Sequence, residues 1–230
     1  MDKIEIVHRD EDFVVAVKPS GLLTMPGRGA AASEKNLRDM LSAALDGPAM
    51  VVHRLDRDAS GLILFARNEK AHRYFSGLFG TDERASGPVP GERPAVKEIR
   101  KRYLAAVEGL VAEERGEVDK PVRTYGSGRM GVGFGGKPSV TKYKVLERYK
   151  RATLLEAELL TGRRHQIRVH LYHIGHPVIG DRLYGDQTRQ AGYPRLMLHS
   201  YSLEFRDMAG RKRTLTCDPP EDFQCVLPFL

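Results

Sequence analysis

The chain has 230 residues, 37 of them Lys or Arg against 30 Asp or Glu, for a formal charge of +7. That length can bury a core without covalent staples, and two cysteines, Cys217 and Cys225, without metal-ligand spacing argue against a disulfide framework or a zinc site. A pI near 9.4 suits a polyanionic partner, while a charged N-terminus and the lack of any apolar run near ~20 residues point away from a secretory leader or membrane span and toward the cytoplasm.

In chain order, residues 4–7 (IEIV) and 13–17 (FVVAV) are β-branched runs and read as strands. Lys18-Pro19-Ser20-Gly21 breaks the second run, and a loop with Pro26 and Gly27 follows. Leu37, Met40, Leu41, Ala44 and Leu45 share a helical face, which predicts a helix from about 34 to 46 with Ser33 as its cap and Gly47 beyond its end. Residues 49–52 and 62–66 read as strands, and the polar segment HRLDRDASG lies between them. A second helix is expected over 69–79. Residues 80–99 are rich in Gly, Pro and charge and read as a flexible insertion before strand sequence resumes at 103–108.

Residues 126–136 form a glycine-rich loop, and 140–147 and 152–160 read as strands. A helix is expected at about 163–174, then strands near 196–205 and 212–216. With no repeat and no low-complexity tract, residues 1–230 are expected to form one catalytic domain.

Several motif matches fail on context. Gly126-x-Gly128-x-x-Gly131 has the dinucleotide-binding spacing, but no buried strand precedes it and no helix follows. Gly131 to Lys137 approaches a phosphate-binding loop, but Pro138 stands where a magnesium-binding hydroxyl belongs. His165, His170, His173 and His176 lack the spacing of a helical zinc motif. Ser60-Gly61 and Ser127-Gly128 lack the elbow of a serine hydrolase.

The informative segment is His53-Arg54-Leu55-Asp56-Arg57-Asp58-Ala59-Ser60-Gly61-Leu62. It sets two carboxylates among two arginines and a histidine, in a loop held by strands at both ends. Neighbouring cations favour the charged form of an Asp, and a held carboxylate can serve as nucleophile or base. From the residues alone, a surface ion-pair network is an equal reading.

HRLD followed by Ser-Gly-Leu resembles the signature loop of RluA-type pseudouridine synthases. Three further segments resemble that family's motifs in the expected order. These are Lys18-Pro19-Ser20-Gly21-Leu22-Leu23, then Arg102-Tyr103-Leu104-Ala105, then Thr161-Gly162-Arg163-Arg164-His165-Gln166-Ile167-Arg168-Val169-His170 with its continuation to Gly180-Asp181. The likeness runs from about residue 4 to the end and is nearest to compact members without an accessory RNA-binding domain. Ala59 departs from the family's usual Thr, which implies loss of a loop hydrogen bond.

The resemblance implies an α+β pseudouridine synthase fold, a large mixed, mainly antiparallel bent sheet flanked by helices and loops around a central cleft. It implies isomerisation of uridine within tRNA or large-subunit rRNA without a metal, nucleotide or other cofactor, by a monomer that touches no membrane. Asp56 is then the catalytic carboxylate, Tyr103 lies against the base, and Arg168 pairs with Asp56. Arg54 is expected to fill the space left by the flipped nucleotide, and His53, Arg163, Arg164 and Lys18 are the other expected RNA contacts. The alternative is a non-catalytic RNA-binding or ribosome-assembly factor on the same fold, which would not need Asp56, Tyr103 and Arg168 together.

Overall fold

A computed structural model describes residues 4–27, 29–80, 99–126 and 128–230. The expected flexible insertion therefore lies, over 81–98, outside the described residues. Strands β1 (Ile6–Arg9), β2 (Phe13–Lys18), β3 (Met50–Val51), β4 (Ser60–Ala66), β5 (Arg100–Glu108), β6 (Arg115–Asp119), β9 (Val140–Arg148), β10 (Ala152–Leu159), β11 (Leu198–Arg206) and β12 (Lys212–Thr216) form one sheet. Its order is β1-β2-β4-β11-β5-β10-β9-β6, with β12 added to β11 and β3 to β4. All its pairings are antiparallel except β4 with β11. Strands β7 (Val122–Thr124) and β8 (Met130–Val132) make a separate hairpin.

The alternation of side chains along a strand sorts the apolar residues into two cores. In β4, Ile63 and Phe65 face one core while Leu62, Leu64 and Ala66 face the other. Helix α1 (Leu37–Leu45) covers the first face with Leu37, Leu41 and Leu45, and α2 (Glu69–Phe79) covers the second with Ala71, Phe75 and Phe79. Each such Leu or Phe contributes roughly 1.5–3 kcal/mol by leaving water.

The lone parallel pairing needs a close approach that only glycine permits. Gly61 has φ of 110°, and a Cβ there would lie 2.2 Å from the Ser200 carbonyl oxygen. Gly61 is paired with Lys18 on one side and Ser200 on the other, and Ser200 is paired in turn with Tyr103. One row across the sheet thus aligns the ends of the sequence motifs.

Several boundaries differ from expectation. Helix α1 starts later than 34, because residues Gly29–Ser33 form a 3-10 turn and Asn36, not Ser33, is the cap, its side chain accepting from the Asp39 amide at 3.1 Å. The third helix begins at Gln166, not 163 (α3, Gln166–His173), because His165 adopts φ of 55°. Gln166 Oε1 instead accepts from the Thr161 hydroxyl at 2.6 Å and the Arg163 amide at 3.0 Å, which occupies the preceding residues in a turn. The glycine-rich loop contains β8. Strand β6 and the short helices α4 (Gln187–Gln190) and α5 (Glu221–Gln224) had no sequence expectation. No helix among the described residues is long and apolar enough to cross a membrane.

Two buried histidines tie strands together in neutral form. His170 Nε2–H donates to the Lys120 carbonyl at 2.9 Å, so its Nδ1 accepts from the Thr141 hydroxyl at 2.9 Å. His199 Nε2–H donates to the Cys217 carbonyl at 3.2 Å, and its Nδ1 accepts from the Ser60 hydroxyl at 2.7 Å. Burial pushes both pKa values down to about 4, with the carbonyl partners opposing the shift. In the unfolded chain these imidazoles take up protons near pH ~6.5, whereas the folded ones resist until about pH 4. The unfolded state therefore binds more protons in that window, and stability should fall as pH drops through it. Denaturant unfolding at pH 7 and pH 4.5 should show a loss of a few kcal/mol, largely removed in a His170→Gln variant for its share; a flat profile would contradict the neutral assignment.

Candidate active site

The loop that carries Asp56 is clamped by the KPSGLL segment. Lys18 is fully buried, and its Nζ donates to the carbonyls of Leu22 and Arg57 at 2.7 Å and of Pro19 at 2.9 Å. The Gly21 amide donates to the Arg57 carbonyl at 3.0 Å, and the Ser20 hydroxyl donates to the Asp58 carbonyl at 2.6 Å. Thr24 Oγ1 bonds both the amide and the carbonyl of Leu55, whose side chain is buried in the first core. This explains the Leu amid charges: it anchors the loop so that Asp56 beside it is presented from a fixed backbone. Burial pushes the Lys18 ammonium down to about pKa 7, yet three carbonyl acceptors use all three protons of the charged form. Lys18 is thus a loop brace and not an RNA contact, a correction of the expectation; its full burial leaves it unreachable.

From the opposite side, Arg168 on α3 reaches two carboxylates. Its Nη1 donates to Asp56 Oδ2 at 3.0 Å, while Nε and Nη2 grip Asp181 at 2.7 and 2.8 Å in a two-pronged bond. Asp181 is 1% exposed and also accepts from the amides of Leu183 and Tyr184. The Tyr184 ring lies 5.1 Å from the guanidinium. Burial opposes the Arg168 charge, but the two carboxylates outweigh it, and its pKa moves up. Arg168 is therefore a permanent cation fixed by Asp181 and offered to Asp56.

Asp56 retains a free side. Its side chain is 20% exposed, and His165 Nε2 stands 3.8 Å from Oδ1. The His165 ring is oriented by a 2.8 Å bond between Nδ1 and the Tyr184 hydroxyl. Burial lowers the His165 pKa, with Asp56 opposing, so a neutral imidazole faces the carboxylate.

Two hollows meet at Asp56, His165 and Arg168. One, of about 70 Å³, is lined by Tyr103, Arg54, Lys101 and Ala59. The other, about 680 Å³ and wider, is lined by Arg57, Arg182 and Arg195 as well as Asp58 and Asp222. Tyr103 on β5 is 5% exposed; burial raises its phenol pKa, the Asp56 charge adds to the rise, and Ser200 opposes it. The phenol is neutral at physiological pH.

The structure thus brings Asp56, Tyr103, Arg168 and Arg54 to one place. The other expected RNA contacts occupy separate positions. His53 is stacked on Phe79 with centroids 4.0 Å apart, and its Nε2 accepts from the Leu64 amide at 3.0 Å, so it ties the loop to β4. Arg163 also lines the smaller hollow, with Nε donating to the Pro138 carbonyl at 3.4 Å. Arg164 is exposed. Asp181, His165 and Tyr184 were not singled out as site residues. Asp181 stands 13 positions beyond Arg168, and only a turn of the chain that no local pattern encodes returns it.

Residues 12–173 match the family model for RNA pseudouridylate synthase. The chain is 36% identical to the dual-specificity RNA pseudouridine synthase RluA of Pasteurella multocida, over 88% of this chain and 87% of that protein. It is 31% identical to the ribosomal large subunit pseudouridine synthase D of Xanthomonas campestris, over 99% of this chain and 69% of that one. The solved structure of human RNA pseudouridylate synthase domain containing 1 superposes with a TM-score of 0.75 at 27% identity, covering 95% of this chain and 84% of that one. The α+β fold agrees with these relatives, and the chain belongs to the RNA pseudouridylate synthase family, isomerases that convert uridine in RNA to pseudouridine.

Proposed function

We propose that this chain modifies uridines in tRNA, in large-subunit rRNA, or in both, as a monomeric cytoplasmic enzyme of one catalytic domain, with Asp56 as its catalytic carboxylate. The observation that carries the assignment is the bond from Arg168 to Asp56 beside a hollow lined by Tyr103. The printed activities of the relatives, dual-specificity and large-subunit modification, support the substrate class.

A stacked uridine hides its glycosidic bond, so the nucleotide must leave the stack at a cost of a few kcal/mol. Arg54, exposed at the smaller hollow, is placed to occupy the vacated space. We assign the base to the hollow beside Tyr103, with the ribose and flanking phosphates in the wider one, where Arg182 is among the arginines placed to meet phosphate beside the aspartates of the lining.

The chemistry breaks the N1–C1′ bond, with its electron pair leaving on the uracil. The base turns and forms a C5–C1′ bond; C5 loses its proton and N1 gains one. Asp56 can promote cleavage by attack at C1′, by attack at C6, or by taking a ribose proton, and one ionised oxygen beside a fixed cation serves each route. Arg168 counters the carboxylate charge and fixes its position. A protonated Tyr103 supports packing against the base and donating a hydrogen bond, rather than acting alone as a base. No metal or organic cofactor enters this scheme. The detached base must be held at the site while it turns, because its escape would leave an abasic position.

Asp56→Asn should keep the fold and RNA binding yet abolish turnover, read as tritium release from RNA carrying C5-tritiated uridine; substantial release would overturn the role of Asp56. Arg168→Met should slow the single-turnover rate by about 10²-fold or more. It leaves Asp181 buried without its cation, so unfolding must be measured alongside. A folded variant with a near wild-type rate would reject the pairing.

A further inference from the structure

The β7–β8 hairpin and α3 enclose a third hollow of about 630 Å³, on the far side of Tyr184 from Asp56. Three tyrosines line it: Tyr184 as its buried wall, and Tyr125 and Tyr172, which are 44% and 49% exposed. The Arg129 guanidinium stands 5.0 Å from the Tyr184 ring and 5.9 Å from the Tyr172 ring. His173 completes the polar lining, and among the described residues no carboxylate lines it.

The glycines of this hairpin serve the aromatic surface. Tyr125 donates from its hydroxyl to the Val132 carbonyl at 2.9 Å, which lays the ring along the hairpin. A Cβ at Gly131 would lie 2.8 Å from that ring, and one at Gly133 would lie 2.4 Å from its hydroxyl. Side chains there would lift the ring off. Arg123 lies 5.0 Å from the same ring. Gly131 and Gly133, which fall in the two glycine matches that mimic nucleotide motifs, thus seat a flat tyrosine with a cation beside it.

We propose that this hollow is a second nucleotide-binding site, which takes an unpaired RNA nucleotide near the target uridine by stacking its base on Tyr172 and Tyr125 and holding its phosphate with Arg129. This rests on the reading of the chain as an RNA-modifying enzyme and extends its contact surface beyond the catalytic hollows. Two features favour RNA over a protein partner. Exposed rings interleaved with arginines, without carboxylates, match how single strands are held. The hollow also adjoins the active site across Tyr184, whose hydroxyl bonds His165 and whose ring faces Arg168. A strand whose target base is turned toward Asp56 passes this wall.

The test uses the full chain and a fluorescein-labelled oligouridylate, with an abasic ribose-phosphate oligomer of the same length as a charge-only probe. Tyr172→Ala should weaken oligouridylate binding about five- to tenfold, the lower part of what one base–aromatic stack supplies. Tyr172→Phe should keep wild-type affinity, and the abasic oligomer should bind wild type and Tyr172→Ala alike. The proposal is overturned if Tyr172→Ala binds oligouridylate as wild type does, which would leave the surface to a protein partner. It is also overturned if binding to both probes falls equally, since that marks a loss of fold or charge and not of stacking. Pseudouridine formation by the wild-type chain is scored separately, so a failure of the enzyme reading is not confused with a failure of this site.

Discussion

One buried cation organises the site. Arg168 carries a charge that burial disfavours, and it is held by two carboxylates of different character: Asp181, sealed within the fold, and Asp56, open on one side. Coulomb attraction at these distances strengthens as water is excluded, but so does the penalty for an unmatched charge. The geometry resolves the conflict by giving Asp181 the two-pronged bond and two backbone amides, and leaving Asp56 a single bond. The tightly bound carboxylate is structural. The lightly bound one keeps part of its side chain exposed at the hollows.

The rest of the fold serves that arrangement. Asp56 must face α3 across the mouth of the sheet, and the loop bearing it is braced by Lys18, Ser20, Gly21 and Thr24. Gly61 lets β4 and β11 run side by side, which brings Ser200 opposite Tyr103 and sets the phenol at the smaller hollow. The same site is reached on its third side by Tyr184, which carries His165 and forms the wall toward the hairpin. Sequence motifs separated by more than a hundred residues are therefore parts of one mechanical unit.

Much of this was legible in the chain. The β-branched runs of β2 and β4 and the apolar spacing of α2 placed those elements closely, because burial on both faces or on one stripe leaves a strong periodic trace. The HRLD loop, Tyr103 and Arg168 were found through resemblance, since charge spacing alone left a surface ion-pair network as an equal reading. What stayed hidden depended on tertiary return. Asp181 gains meaning only from the turn that brings it to Arg168. The start of α3 was hidden because Gln166 spends its side chain on the turn before it. The motifs name Lys18 and His53 but do not show which way each side chain faces; one points into three carbonyls and the other lies on Phe79.

The claim that Asp181 fixes the cation that fixes Asp56 can be tested at Asp181 itself, a buried residue. Asp181→Asn keeps the size and an oxygen acceptor while removing the charge that anchors Arg168. Its single-turnover rate on an RNA carrying the unmodified target uridine should fall by about 10²-fold with RNA affinity unchanged, as expected when a reacting group is displaced by about an ångström. A wild-type rate in a folded Asp181→Asn protein would contradict the account.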